Sequence, residues 1–165
     1  WTNNLAFWQQ TLEVNAQSFL AHNNLGATYQ MQGRPYEAVR HFELALELHP
    51  QDPDTTINLG LLKAQLRDLA SARDLLERGL QLRPGDPKAL MMLGVVALWQ
   101  KDYDTAVSRL QATLESAPKN LLIRYYLALA VAGQARKAEA RAQLEEILRQ
   151  APDMDLARKA LATLQ

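Results

Sequence analysis

Residues 25–50 read LGATYQMQGRPYEAVRHFELALELHP. The same punctuation returns three times further along the chain. Pro50, Pro84, Pro118 and Pro152 stand 34 residues apart. Leu25, Leu59, Leu93 and Leu127 keep that interval, as do Ala38, Ala72, Ala106 and Ala140, and Leu46, Leu80, Leu114 and Leu148. Gly26, Gly60 and Gly94 form a further column that Ala128 completes. Within each period the apolar spacing is helical, as in Leu75, Leu76, Gly79, Leu80 and Leu82, and two helices, A then B, fit each unit. The expected fold is all-α, built of antiparallel helix pairs.

The helix boundaries are legible as well. Ser18, Asp52, Asp86 and Asn120 share one column, all of N-cap type, and Pro53 and Pro87 follow at the first helical position. Helix B starts after a short turn, with Asp68 and Asp102 as caps and Pro35 at its first position, and stops before the Pro column. The small residue at the eighth position is expected to face the Ala at the twentieth. A larger residue at Ala72 would then cost about 1–3 kcal/mol by overpacking.

These columns resemble the tetratricopeptide repeat family, in which a Leu-Gly pair, an Ala, a large apolar residue and a terminal Pro recur. Leu25-Gly26, Tyr29, Ala38, Phe42, Ala45 and Pro50 make the first complete repeat nearly ideal. Later repeats drift. The family's fourth-position Trp is replaced by His22, Thr56, Leu90 and Arg124, and the Tyr column continues as Lys63, Ala97 and Val131. The resemblance implies a right-handed superhelical stack with full repeats at 19–52, 53–86, 87–120 and 121–154. Residues 1–18 hold an orphan helix B at 4–15, with Trp8 in the Phe42 column and Leu12 in the Leu46 column, and something upstream is expected to cover Trp8. Residues 155–165 read as a capping helix with Leu156, Leu161 and Leu164 on its apolar side.

Composition removes several classes of function. The 165 residues carry 18 Lys plus Arg against 18 Asp plus Glu, and such balance opposes nucleic-acid wrapping, which needs a concentrated basic surface. With no Cys there is no disulfide framework, thiolate zinc site or cysteine nucleophile, and the redox compartment stays open. The most apolar stretch, residues 121–133, contains Arg124 and falls short of the roughly 20 residues of a membrane span, so no direct insertion of this segment is expected. The first residue is Trp1 rather than Met, which reads as a segment excised from a longer protein.

No catalytic constellation emerges. His22, His41 and His49 occupy different repeat positions with no ligand-spaced carboxylate, and the ordinary reading is a solvated or helix-terminal ring. Asp102-Tyr103-Asp104 resembles the acidic motif of metal-dependent glycosyltransferases but falls where a cap and first-turn acid are expected, and Asp52-Pro53-Asp54 is likewise a cap. No phosphate loop is present. The expectation is a non-enzyme with no metal and no cofactor.

Binding residues are therefore sought on helix A. By resemblance to the family, its second, fifth, sixth, ninth, twelfth and thirteenth positions face a concave groove. The first half of that set is polar, with Asn23, Asn24, Gln30, Asp54, Asn58 and Gln65. The second is apolar and aromatic, with Met91, Met92, Val95, Leu98, Trp99, Tyr125, Tyr126 and Leu129, flanked by Lys88. Asn24 and Asn58 share the sixth position. In the repeats of O-linked N-acetylglucosamine transferase, which these resemble, that column is a ladder bonding an extended peptide's backbone. A carboxamide both donates and accepts, yet each such bond contributes only about 0.5–1.5 kcal/mol net, and Met92 and Tyr126 interrupt the ladder. The clamp with which co-chaperone repeats hold a terminal carboxylate finds only Asn58 and Lys88 here, so that ligand is rejected. The apolar half can be binding surface or core beneath the terminal helix.

Three functional readings follow. The first is a non-catalytic scaffold binding a protein or extended peptide. The second rests on Ala21-His22-Asn23-Asn24-Leu25-Gly26 and the segment before it, which resemble the start of the repeat tail in bacterial relatives of TMTC-type membrane mannosyltransferases. The third is self-assembly, as a homo-oligomer, through residues 4–15 or the apolar groove.

Overall fold

The computed structural model describes the backbone of residues 2–164 and the side chains from Asn4 to Leu164. Ten helices and no strand occur among the described residues: α1 (Thr2–Val14), α2 (Phe19–Met31), α3 (Pro35–Leu48), α4 (Pro53–Gln65), α5 (Leu69–Leu82), α6 (Pro87–Trp99), α7 (Tyr103–Ser116), α8 (Leu121–Gly133), α9 (Lys137–Gln150) and α10 (Asp155–Thr163). None is long and apolar enough to cross a membrane.

Six of the helices begin on a side-chain cap. Backbone N–H groups of the first turn are orphaned unless a side chain accepts from them. Ser18 accepts from Ala21 N, Asp52 from Thr55 N at 2.7 Å, Asp86 from Lys88 N and Ala89 N at 3.0 Å, and Asn120 from Leu122 N and Ile123 N. Asp68 and Asp102 cap α5 and α7 in the same manner. Asp102 is thus committed to its helix, and Asp104 accepts from Gln134 Nε2 at 2.6 Å. Among the described residues no cluster of three or more His, Asp or Glu side chains is placed to hold a metal ion.

The turn from helix A to helix B depends on a column that the sequence reading passed over. Gly33, Arg67, Lys101 and Ala135, 34 residues apart, all adopt left-handed backbone, with φ of 70°, 66°, 62° and 63°. The following amide then reaches back five residues: Arg34 N to Tyr29 O, Asp68 N to Lys63 O, Asp102 N to Ala97 O and Arg136 N to Val131 O, at 2.9–3.3 Å. This is a Schellman closure, which satisfies the last carbonyls of helix A and reverses the chain. Only the first of the four is glycine, so residue type alone does not announce the turn.

Two compact units are present, Trp1–Ala89 and Leu90–Gln165. In the first, α2 pairs with α3 and α4 with α5 around Leu25, Tyr29, Phe42, Leu59 and Leu62. In the second, α7, α8 and α9 enclose Leu110, Ile123, Leu127 and Val131, and α10 closes on Ala128, Leu144 and Ile147 through Ala157 and Ala160. Within a pair, the eighth-position glycine opposes the large residue at the twenty-fourth position rather than the alanine at the twentieth. A Cβ on Gly26 would lie 2.6 Å from the Phe42 ring, one on Gly60 2.9 Å from Leu76 Cγ, and one on Gly94 2.6 Å from Leu110 Cγ. The reason is geometric: removing one Cβ lets a whole Phe or Leu cross the helix interface.

At the N-terminal end, Trp8 is half-buried. Together with Leu5 and Leu12 it packs against the Leu25–Tyr29–Phe42 core. The outward side of α1 carries instead Phe7, 59% exposed, and Val14, 86% exposed.

Gly26→Ala is expected to destabilise the protein by about 1–3 kcal/mol in urea unfolding, because overpacking against the fully buried Phe42 outweighs alanine's helix propensity of about 1 kcal/mol. Gly33→Ala, whose Cβ would meet open space, incurs only the left-handed backbone penalty of about 1–2 kcal/mol, reduced by the entropy that glycine gives the unfolded chain. Equal stability of Gly26→Ala and the parent protein would contradict the close crossing.

Candidate functional site

Position along helix A decides which side chains pack and which remain available. On α6, Lys88 belongs to the first unit, whereas Met91, Met92, Leu98 and Trp99 belong to the second and are half-buried against the Leu110–Leu127 core. Tyr126 joins that core from α8. Tyr125 and Leu129 pack toward α10 through the cluster that includes Leu161 and Leu164. The tyrosine rings meet edge-on, with centroids 5.2 Å apart, and burial raises the Tyr125 hydroxyl pKa, helped by its neighbour Tyr126. The apolar half is therefore core at its base and surface at its rim. Val95 is a correction to the expected groove: it is 0% exposed and lies wholly inside the core. A β-branched side chain at the ninth position, amid small and apolar neighbours, is drawn inward.

The polar set is more occupied than its residue types suggest. Asn24 Nδ2 donates to Leu20 O at 2.7 Å within its own helix, which leaves its carbonyl oxygen as the outward group. Asn23 Oδ1 accepts from the buried Thr55 hydroxyl at 3.0 Å and ties α2 to α4. Asp54 is held by both terminal nitrogens of Arg83, at 2.5 and 2.8 Å, and this partner keeps the Asp54 pKa low. Arg83 lies 29 residues further on, beyond the reach of any local motif. Asn58 stays half-exposed at its expected position.

Two histidines depart from the ordinary reading, while His49 is the helix-terminal cap of α3. His22 is buried, and its Nδ1 lies 3.0 Å from His41 Nδ1, while its Nε2 lies 3.2 Å from Ala16 O. A carbonyl can only accept, so His22 carries its proton on Nε2 and accepts on Nδ1 from His41. Tyr29 stacks on His41 with centroids 5.3 Å apart, Arg34 sits 4.5 Å from the centre of the Tyr29 ring, and Gln9 Nε2 donates to the Tyr29 hydroxyl at 3.3 Å. The cluster joins α1, α2 and α3. Its signal was in the sequence, since positions four and twenty-three of one repeat both carry His.

Helix pairs that close through a glycine–large contact and reverse through a Schellman turn define a helical-hairpin repeat protein. The tetratricopeptide repeat pattern matches residues 5–84, and a second pattern of the same description matches residues 61–115 and 97–164. The chain belongs to the tetratricopeptide repeat family. Comparison with curated protein sequences finds no match. Among solved structures, residues 41 to the end of MamA from Desulfovibrio magneticus RS-1 superpose with a TM-score of 0.79 at 24% identity, covering 88% of this chain and 82% of that one. YrrB, described as a TPR protein with an unusual peptide-binding site, gives 0.75 at 18% identity, covering 95% and 81%. The APC/C hetero-tetramer Cut9–Hcn1 gives 0.79 at 20% identity, covering 97% of this chain and 32% of that one. At these identities the likeness is one of fold.

Burial, the neighbouring His22 and the charge of Arg40 together lower the His41 pKa from 6.5 to about 4. The folded state therefore favours neutral His41, and the unfolded chain binds the additional proton between these values. The His41 contribution to stability is complete above pH 6.5 and is lost as pH falls toward 4. Urea midpoints of the parent should drop more steeply across that window than those of His41→Leu; parallel pH profiles would contradict the neutral pair.

Proposed function

We propose that the chain is a non-catalytic scaffold that binds an extended peptide or protein segment on the free sides of its A helices. In the second unit the contacts come from Met91, Met92, Trp99, Tyr125, Tyr126 and Leu129. In the first unit, Asn24 and Asn58 provide carboxamides for a peptide backbone, Asn24 through its carbonyl oxygen alone. Lys88, on α6, supplies a cation.

The observation that carries this reading is the half-burial of the Met and Tyr set. Side chains anchored at the base and open at the tip are held in place before a partner arrives, so ordering them on binding costs less. Tyrosine and methionine also suit interface cores. The peptide-binding description of YrrB, a neighbour in fold, is consistent with it.

Selection of peptides from a displayed library against the full chain, followed by titration, tests the assignment. Met92→Ala and Tyr126→Ala should each weaken a selected peptide about 10-fold, the equivalent of about 1.4 kcal/mol. Unchanged affinity in both variants, with unfolding midpoints near the parent's, would remove the assignment.

Self-association is a second reading, favoured by Phe7 and Val14 on the outer side of α1. It requires a mass that rises with concentration in sedimentation and falls back in Phe7→Glu. A mass equal to one chain at every concentration would exclude it.

A further inference from the structure

Every complete helix pair buries its eighth position, at Gly26, Gly60, Gly94 and Ala128. The opposing position twenty-four is buried as well, with Phe42, Leu76, Leu110 and Leu144 each 0% exposed. Two helices carry one half of this contact without the other. α10 is a helix A by register, with Leu161-Ala162 in the columns of the Leu-Gly pair, and no helix B follows it among the described residues. It docks on α8 and α9 through Ala157 and Ala160, and Ala162 stays exposed. α1 is a helix B by register, and no helix A precedes it among the described residues. Its Trp8, in the Phe42 column, is only half-buried.

The neighbouring positions of these two helices also match. Position four meets position twenty-three within a pair, as His22 meets His41 at 3.0 Å. On α10 and α1 those positions hold Arg158 and Phe7, both exposed. Asp155 and Pro152 O engage the edge of the Arg158 guanidinium, at 2.6 and 2.7 Å, so its flat face remains for an aromatic ring. Val14 is 86% exposed, whereas Leu48 and Leu82 in its column are half-buried. The start of helix A lies beside the end of helix B, as Phe19 on His49 shows with centroids 4.7 Å apart, so a helix A would cover Val14. Charge agrees. Glu13 is the sole charged residue of α1, Lys159 is the cation of α10 left over once Arg158 pairs with Asp155, and neither has an ion-pair partner among the described residues.

We infer that α10 of one copy and α1 of a second copy form a fifth helix pair, which joins chains head to tail. This rests on the self-associating reading above and adds the surface that α1 meets. Ala162 crosses Trp8, Arg158 lies on Phe7, and the first turn of α10 covers Val14. A second α1 cannot serve instead, because both helices would then present the large residue and neither the small one. Since the two faces differ, the contact is heterologous, and copies add beyond two until the array closes or continues.

Sedimentation of the full chain, of Phe7→Glu, of Ala162→Glu and of an equimolar mixture of the two variants is the test. Both replaced side chains are exposed, so urea midpoints should match the parent's; if that of Ala162→Glu falls, Ala162→Arg, whose charge suits a helix C-terminus, takes its place. The parent's mass should rise with concentration past two chains, and each variant alone should associate about 10-fold more weakly or less. The mixture should form a one-to-one dimer where either variant alone is monomeric, because the intact α1 of Ala162→Glu meets the intact α10 of Phe7→Glu. A one-chain mass for the parent at every concentration would remove self-association and this pairing with it. A parent that associates no better than the α10 variant, or a mixture that stays monomeric, would leave self-association standing and overturn the pairing of α10 with α1.

Discussion

The contact between an eighth-position glycine and the large residue at position twenty-four underlies everything else in this protein. Gly26 on Phe42, Gly60 on Leu76 and Gly94 on Leu110 bring the two helices of a pair together with no room for even one further methyl group. The fourth pair places Ala128 and Leu144 in one buried cluster. Interiors packed to this density resist small additions as strongly as deletions. The contact lies mid-helix, far from the capped ends, so caps and left-handed turns set where helices start and reverse while the glycine contact sets how closely they lie.

That closeness also assigns the remaining sides of helix A. Positions seven and eight are consumed by the pair. Position six, with Asn24, Asn58, Met92 and Tyr126, stays half-exposed, whereas Ile57 at position five and Val95 at position nine are buried, and position four faces helix B across a gap that its own side chain must fill or leave open. His22 fills it and Arg124 does not. The surface proposed to bind a partner is thus a consequence of one packing constraint.

Much of this was legible in advance. The 34-residue columns and the caps at Ser18, Asp52, Asp68, Asp86, Asp102 and Asn120 state the fold directly, because a cap and a period are local properties. The features that escaped depend on distance or on backbone alone. The partner of the eighth position was read one turn off, since helices crossing at an angle do not match positions by small size. Arg67, Lys101 and Ala135 adopt left-handed backbone that their residue types do not favour. Arg83 reaches Asp54, and Asn23 meets Thr55, across separations on which local spacing is silent. Val95 sits among exposed-position residues yet lies in the core. Of the expected site, the Met and Tyr positions were placed by register, and how deeply each is buried followed only from α10 and the neighbouring helices.

The central claim is that the free side of helix A, and not helix B, meets the partner peptide. Hydrogen–deuterium exchange of the full chain, with and without a peptide selected against it, measures this most directly. The account predicts added protection in Pro87–Trp99 and Leu121–Gly133, with Tyr103–Ser116 and Lys137–Gln150 unchanged. Protection confined to those last two helices would contradict it.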